Sequence, residues 1–314
     1  MPSPPRFPLF DAPSPLHALP RFSAALGDRV EVWAKREDLL PLAFGGNKLR
    51  NLEFLVAAAL AEGADTIITS GRRWSNHGRL TAAAGALAGL RVHLVLSGPP
   101  VEPPGPGIQI ARAFGATVHQ LATAERAERD AMVERVTAEV TAAGGRPYVI
   151  GVGGSGAVGL HGQVLAAHEL LAQAGATDLG IDRVVLPTAT GGTQAGLLVG
   201  LPESIAVTGI VAARSAAELR PAIVGMVEAA GGTVDPAAVH LDEGFIGNGY
   251  GRRTAAAEEA AGLLARTEAI LVDPIYTAKA LAGLVTGIRS GAWEGERIVF
   301  WHAGGLPGLF EPLD

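Results

Sequence analysis

Cysteine is absent from the 314 residues, which excludes disulfides, a thiolate nucleophile and any cysteine-ligated zinc or iron–sulfur centre. Charge is scarce, at 18% of the residues against about a quarter in ordinary domains, while 48% are hydrophobic. The chain is therefore not of the disordered, solvating kind. A net charge of −6 and a pI near 5.8 argue against nucleic acid or an anionic membrane surface as partner. No apolar run reaches the roughly 18 residues of a membrane span. The start, MPSPPRFPLFDAPSP, is Pro-rich and lacks the charged-then-apolar order of a signal peptide. Histidines with metal-binding spacing are missing too: His161 and His168 lie seven apart and no H-E-x-x-H occurs, so no metal is expected. What remains is a cytoplasmic globular protein with no nucleic-acid or membrane partner, long enough for one large domain or two modest ones.

Lysine is the most informative scarcity. Of 25 basic residues, 22 are Arg and only Lys35, Lys48 and Lys279 are Lys. On a solvated surface Arg replaces Lys at little cost, but it cannot lose a proton and attack carbon. Each remaining Lys is therefore a candidate chemical group. Glycine, by contrast, is abundant, at 42 residues, about twice the usual share.

The chain alternates. Strands are predicted at Val30–Glu37, Asp65–Ser70, Arg91–Ser97, Ala116–Leu121, Arg183–Pro187, Ile205–Ala213 and Arg297–Ala303. Between them lie helical patterns, among them 52–60, 76–88, 123–143, 157–173, 216–230, 254–265 and 277–289. Apolar, β-branched strands alternating with helices specify a parallel α/β sheet, and ligands of such sheets sit beyond the carboxyl ends of the strands.

Four loops there carry possible chemistry. GGNK (Gly45–Lys48) runs straight into a helix, where the positive dipole end and an apolar wall both favour a neutral amine. ATGGTQAG (Ala189–Gly196), between a strand and a helix, has the free backbone N–H groups, hydroxyls and helix start of a phosphate cradle; no Lys follows, so it is not a Walker loop. GVGGSGAVG (Gly151–Gly159) contains a formal G-x-G-x-x-G, but no acidic residue ends a strand about 20 residues on, which leaves a nicotinamide-dependent oxidoreductase as a minor alternative. RRWSNHGR (Arg72–Arg79) gathers Arg72, Arg73, His77 and Arg79 as a carboxylate site would, while Ser75 and Asn76 equally suit a plain helix cap.

Together these loops resemble one family over nearly the whole chain: the pyridoxal-phosphate enzymes of fold type II, the tryptophan synthase β-like group, specifically those holding D-cysteine desulfhydrase and aminocyclopropane-carboxylate deaminase. The stretches that carry the resemblance are AKREDLLPLAFGGNKLRNLEFL, ADTIITSGRRWSNHGRLTAAAG, PTATGGTQAGLLVG, GNGYG, DPIYTAKA and HAGGLPGLF, in order. The resemblance implies pyridoxal 5′-phosphate held covalently by Lys48, with Thr190, Gly191, Gly192 and Thr193 around its phosphate, Asn76 at its ring oxygen and Thr277 near its ring nitrogen. It implies Ser75, Tyr250 and Tyr276 as further catalytic groups, and Trp74, Ser75, His77 and Ala303 around a small amino-acid substrate. It also implies a homodimer of two-domain subunits: a small α/β domain over 51–160, and a large cofactor-binding domain over 1–50 and 161–314. Thr277, where the deaminase branch has Glu, points to desulfhydrase-like β-elimination from D-cysteine. Ala303 and Trp74 depart from both branches, so aminocyclopropane-carboxylate deamination and action on a different amino acid stand as alternatives.

Overall fold

The structure, a computed structural model, describes residues 4–313, so the first three residues of the Pro-rich start and Asp314 lie outside the described residues. The chain opens with a short strand β1 (Leu16–Ala18) and a helix α1 (Pro20–Ala25), both too short to show a period in the sequence. Strand β2 (Glu31–Arg36) and helix α2 (Lys48–Ala61) follow. Next come β3 (Thr66–Arg72), α3 (Asn76–Ala88), β4 (Arg91–Ser97), α4 (Pro106–Ala113), β5 (Thr117–Leu121), α5 (Arg126–Ala142) and β6 (Pro147–Ile150). The remainder runs through α6 (Ala157–Ala176), β7 (Arg183–Thr188), α7 (Gly192–Gly200), β8 (Ala206–Val211), α8 (Ala216–Ala229), β9 (His240–Asp242), α9 (Ala255–Glu268), α10 (Thr277–Arg289) and β10 (Arg297–His302).

Two sheets result. One has six strands in the order β1-β2-β10-β7-β8-β9, and the other four in the order β5-β4-β3-β6. The four-stranded sheet is wholly parallel, as the alternation predicts. The six-stranded sheet carries one antiparallel edge, β1 on β2 with Leu16 opposite Lys35, and a three-residue edge strand β9; neither was legible in the sequence.

Both sheets are covered by helices on both faces, which is why their strands read as unbroken apolar runs. Phe300 and Trp301 are adjacent on β10, fully buried, and turn to opposite faces. Phe300 packs with Phe22, Leu264 and Leu281, and Trp301 with Leu170, Leu186 and Leu197. In the smaller sheet Ile67 and Leu94 meet Leu52 and Leu80, while Ile68 and Val95 meet Val136 and Val140.

Helix α2 belongs to the seam between the sheets. Its Arg50, 3% exposed, donates to Glu37 on one side and to Glu169 of α6 on the other, with all four contacts at 2.7–2.8 Å. Lys35 and Ser14 complete the cluster through Glu169. These bonds fix the helix whose first residue is Lys48.

Candidate active site

A cavity of about 410 Å³ opens between the two sheets. Its lining comes from just beyond the carboxyl ends of β3, β6, β7, β8 and β10, together with the first residues of α2 and α10. Lys48 lies at its wall. Burial lowers the Lys48 amine to about 8, and among the described residues its Nζ has no hydrogen-bond partner. The other two lysines are committed. Lys35 is fully buried and donates to Ser14 O, Glu169 and Gln173. Lys279, equally buried, donates to the carbonyls of Ile246 at 2.7 Å and Gly249 at 3.2 Å. Lys48 is the amine left for chemistry.

Opposite it, Thr190, Gly191, Gly192 and Thr193 wrap the N-terminus of α7. Gly191 has φ +85°, and a Cβ there would stand 2.6 Å from Ile223, so no larger residue makes this turn. A Cβ on Gly192 would come within 2.6 Å of Ser155 Oγ, which is bonded in turn to Thr190 Oγ1 at 2.7 Å. The N–H groups of the first turn of α7 lack helical acceptors, and Gly192, Thr193 and Gln194 of that turn line the cavity. Asn47 ties this loop to the lysine turn by donating to Thr193 Oγ1 at 2.7 Å. Within the Gly151–Gly159 stretch, Gly153 lines the cavity and abuts Thr190, the Gly154 carbonyl accepts from Asn51, and Gly159 lies against that carbonyl.

The start of α3 supplies a third wall. Ser75 caps the helix, its Oγ accepting from Gly78 N at 3.1 Å, so its own proton is free to donate into the cavity. Asn76 accepts from Arg79 through Oδ1 and keeps Nδ2 without a partner among the described residues. His77 touches the cavity lining but is only 3% exposed. Thr69 donates to Ile150 O, so its oxygen accepts from His77 Nε2–H at 3.0 Å and leaves Nδ1 bare. Burial, then the charge of Lys48, pushes His77 down to about 3. Unfolded His77 binds its proton near pH 6.5, so stability falls as pH drops from 6.5 toward 3, by up to about 1.4 kcal/mol per pH unit. His77→Gln is expected to flatten that part of the acid limb, as denaturant unfolding at pH 6.5 and 4.5 would reveal.

The basic cluster expected at Arg72–Arg79 does not converge on a ligand. Arg73 pairs with Glu311 at 2.8 Å and donates to Pro312 O, and Arg79 is buried against the carbonyls of Ala43 and Gly45. Only Arg72 of these arginines lines the cavity. Trp74, expected against the substrate, is also corrected: it is outside the lining. Its indole sits between Arg73 (4.9 Å) and the edge of Tyr250 (5.7 Å, 73°), over Gly251. Residue order put Trp74 beside Ser75, but the turn directs it behind Tyr250 as a buttress.

Tyr250 and Tyr276 both line the cavity and share a hydroxyl–hydroxyl hydrogen bond. Burial raises both phenols, Tyr276 most, with Tyr250 adding to it. Both are protonated near neutrality, and because only one proton lies between them, the other phenol proton remains available as an acid. Thr277, at the head of α10, donates to Asp273 Oδ2 at 2.5 Å, so its oxygen can only accept from anything in the cavity. Asp273 is itself buried and receives the N–H groups of Ile275, Tyr276 and Thr277. Ala303 lines the cavity with its carbonyl holding Asn47 N at 3.0 Å. Sequence reasoning had not singled out Asn47, Asp273, Arg126, Arg129 or Arg214. Asp273 stood within DPIY, Arg126 and Arg129 were hidden in a helix that reads as solvated, and Arg214 lies in the loop after β8.

A family model described as pyridoxal-phosphate dependent enzyme matches residues 8–304. The chain is 41% identical to D-cysteine desulfhydrase of Salmonella choleraesuis (strain SC-B67), over 98% of its length and 95% of that protein. Among solved structures, an ACC deaminase homologue aligns over 98% of this chain and 93% of that one, with a TM-score of 0.89 and 34% identity. A threonine deaminase from T.th. aligns over 94% and 92% with a TM-score of 0.67, but at 21% identity it shares the fold alone.

Proposed function

The chain belongs to the pyridoxal-phosphate-dependent enzymes, and from that premise we propose that it eliminates the β-substituent of a small amino acid, with D-cysteine giving pyruvate, ammonium and sulfide. The observation that carries this reading is the meeting, in one cavity, of an uncommitted amine and an anion cradle. Both fit the cofactor: Lys48 for its aldehyde, and the Thr190–Thr193 turn, which lacks an acidic residue, for its phosphate. Family membership removes the nicotinamide alternative.

Bound there, the cofactor supplies an electron sink for the negative charge that develops at the substrate Cα. Lys48, whose amine titrates near 8, takes the Cα proton in its neutral form. Ser75 Oγ–H, Asn76 Nδ2 and the positive end of α3 hold the substrate carboxylate and cofactor ring in register. The Tyr250–Tyr276 pair protonates the departing thiolate. Thr277, with its proton committed to Asp273, presents only a lone pair. Being neutral, that hydroxyl would hold a protonated ring nitrogen less firmly than a carboxylate does. That supports expulsion of a good leaving group over cyclopropane ring opening, which asks more of the electron sink. The proposal includes a small domain over 51–160, a large domain over 1–50 and 161–314, and a cytoplasmic homodimer. Among the described residues no helix is long and apolar enough to cross a membrane.

The test is product formation by purified holoenzyme. Sulfide and pyruvate are expected in equal amounts from D-cysteine, with aminocyclopropane carboxylate yielding no ammonium above background. Ammonium from the cyclopropane without sulfide from D-cysteine would reverse the assignment.

A further inference from the structure

Four arginines line the mouth of the same cavity: Arg72 from the end of β3, Arg126 and Arg129 from the first turn of α5, and Arg214 from the loop after β8. The first three belong to the smaller sheet's side and the last to the larger, so only the folded chain brings them together. Their partners are few. Arg72 donates to Ala124 O at 3.3 Å, and its Nε is buried with no partner. The Arg129 side chain is 12% exposed, its Nε is equally unpartnered, and Asp130 stands 3.7 Å away. Arg126 shares Asp130 at 3.4 Å and is solvated. Half-buried Arg214 forms no ion pair or hydrogen bond through its side chain among the described residues. Glu218, the second carboxylate here, is turned onto Ser215 N and Oγ. Four positive groups thus meet two negative ones, of which one is occupied in capping α8.

Burial holds Arg129 below its usual range, with Arg126, Arg72 and Arg214 adding repulsion against the pull of Asp130. A half-dry cluster of like charges is unfavourable until an anion joins it, and guanidinium forks bind tetrahedral and planar oxyanions best. The substrate's α-carboxylate has its own place at the start of α3, so the quartet is left for a second anion.

Resting on the lyase reading above, we propose that the preferred substrate is an amino acid whose side chain ends in an oxyanion, a sulfonate or a phosphate ester, held by Arg72, Arg129 and Arg214 at the cavity mouth. Elimination from it balances without an oxidant. The Cα–H bond breaks and its proton passes to Lys48. The Cβ–S or Cβ–O bond then breaks, its electron pair leaving with sulfite or phosphate. Water converts the released enamine to pyruvate and ammonium. The arginines neutralise the leaving anion as it forms.

The experiment compares D-cysteine with both enantiomers of cysteate and of O-phosphoserine on holoenzyme. It reads pyruvate release and the change in visible absorbance on binding, in wild type, Arg129→Gln and Arg214→Gln. One oxyanion substrate is expected to exceed D-cysteine in kcat/KM by roughly tenfold or more, the better of the two identifying sulfonate or phosphate. Each substitution should shrink that ratio by roughly tenfold, mainly through KM, and added salt should shrink it in wild type. A ratio unchanged by the substitutions, equal losses on D-cysteine, or loss of cofactor affinity would overturn the proposal, the last two by assigning the arginines to the α-carboxylate or the cofactor phosphate. If no compound is eliminated, but oxyanion amino acids still perturb the spectrum in wild type and not in the variants, the lyase reading falls and the arginine site stands.

Discussion

Lys48→Ala is expected to lose the visible absorbance of bound cofactor and to lower turnover by at least about a thousandfold, the scale of removing a positioned nucleophile and base. The expectation follows from the fate of the three lysines. Lys35 and Lys279 are buried and already bonded to carboxylate, amide or carbonyl oxygens, while Lys48 stands free at the cavity with an amine lowered to about 8. Borohydride reduction followed by peptide mapping separates the possibilities. The reduced adduct should lie on Lys48 in wild type and vanish in the variant. An adduct on Lys279 or Lys35 in the Lys48→Ala protein would refute the assignment.

Arg50→Met is expected to destabilise the protein by about 3–5 kcal/mol, the usual result of removing one partner from a buried ion cluster. Arg50 satisfies two carboxylates, and Glu37, with no exposed surface, has no route to water once the guanidinium is gone. Glu169 is the lesser problem because Lys35 still reaches it and it is partly exposed. Thermal unfolding should begin on the order of 10 °C lower. Adding Glu37→Gln to Arg50→Met should recover much of the loss by removing the stranded charge. If the double variant is no better than the single one, the cluster acts through packing of α2 on α6 and not through charge. Because α2 presents Lys48, cofactor affinity should fall along with stability in the single variant.

Local order was readable wherever one short stretch contains the cause. The helix at 76–88, the strand at 91–97 and the helix at 277–289 were anticipated with the bounds they have in the structure. A cap or turn marks their starts, and apolar runs define their lengths. The strands β1 and β9 were not legible, since three residues show no period and their pairing partners are distant in sequence. Lys48 stood out because lysine is rare here, and the Thr190–Thr193 turn because its glycines sit between a strand and a helix. Arg73, Arg79 and Trp74 misled for the opposite reason. Adjacent positions in a turn point in different directions, and Glu311, the carbonyls of Ala43 and Gly45, and Tyr250 claim them one by one.

The sequence by itself determined the α/β alternation and the absence of any thiol chemistry, and it singled out Lys48 and the Thr190–Thr193 turn as candidates, because each of these is a property of residue types and their local spacing. Only the tertiary structure decided that Lys35 and Lys279 are occupied, that Asp273 takes the proton of Thr277, and that Arg72, Arg126, Arg129 and Arg214 face one cavity. These depend on side chains from separate strand ends meeting in space, where burial strips away water and leaves each polar group to whatever partner the packing brings within reach.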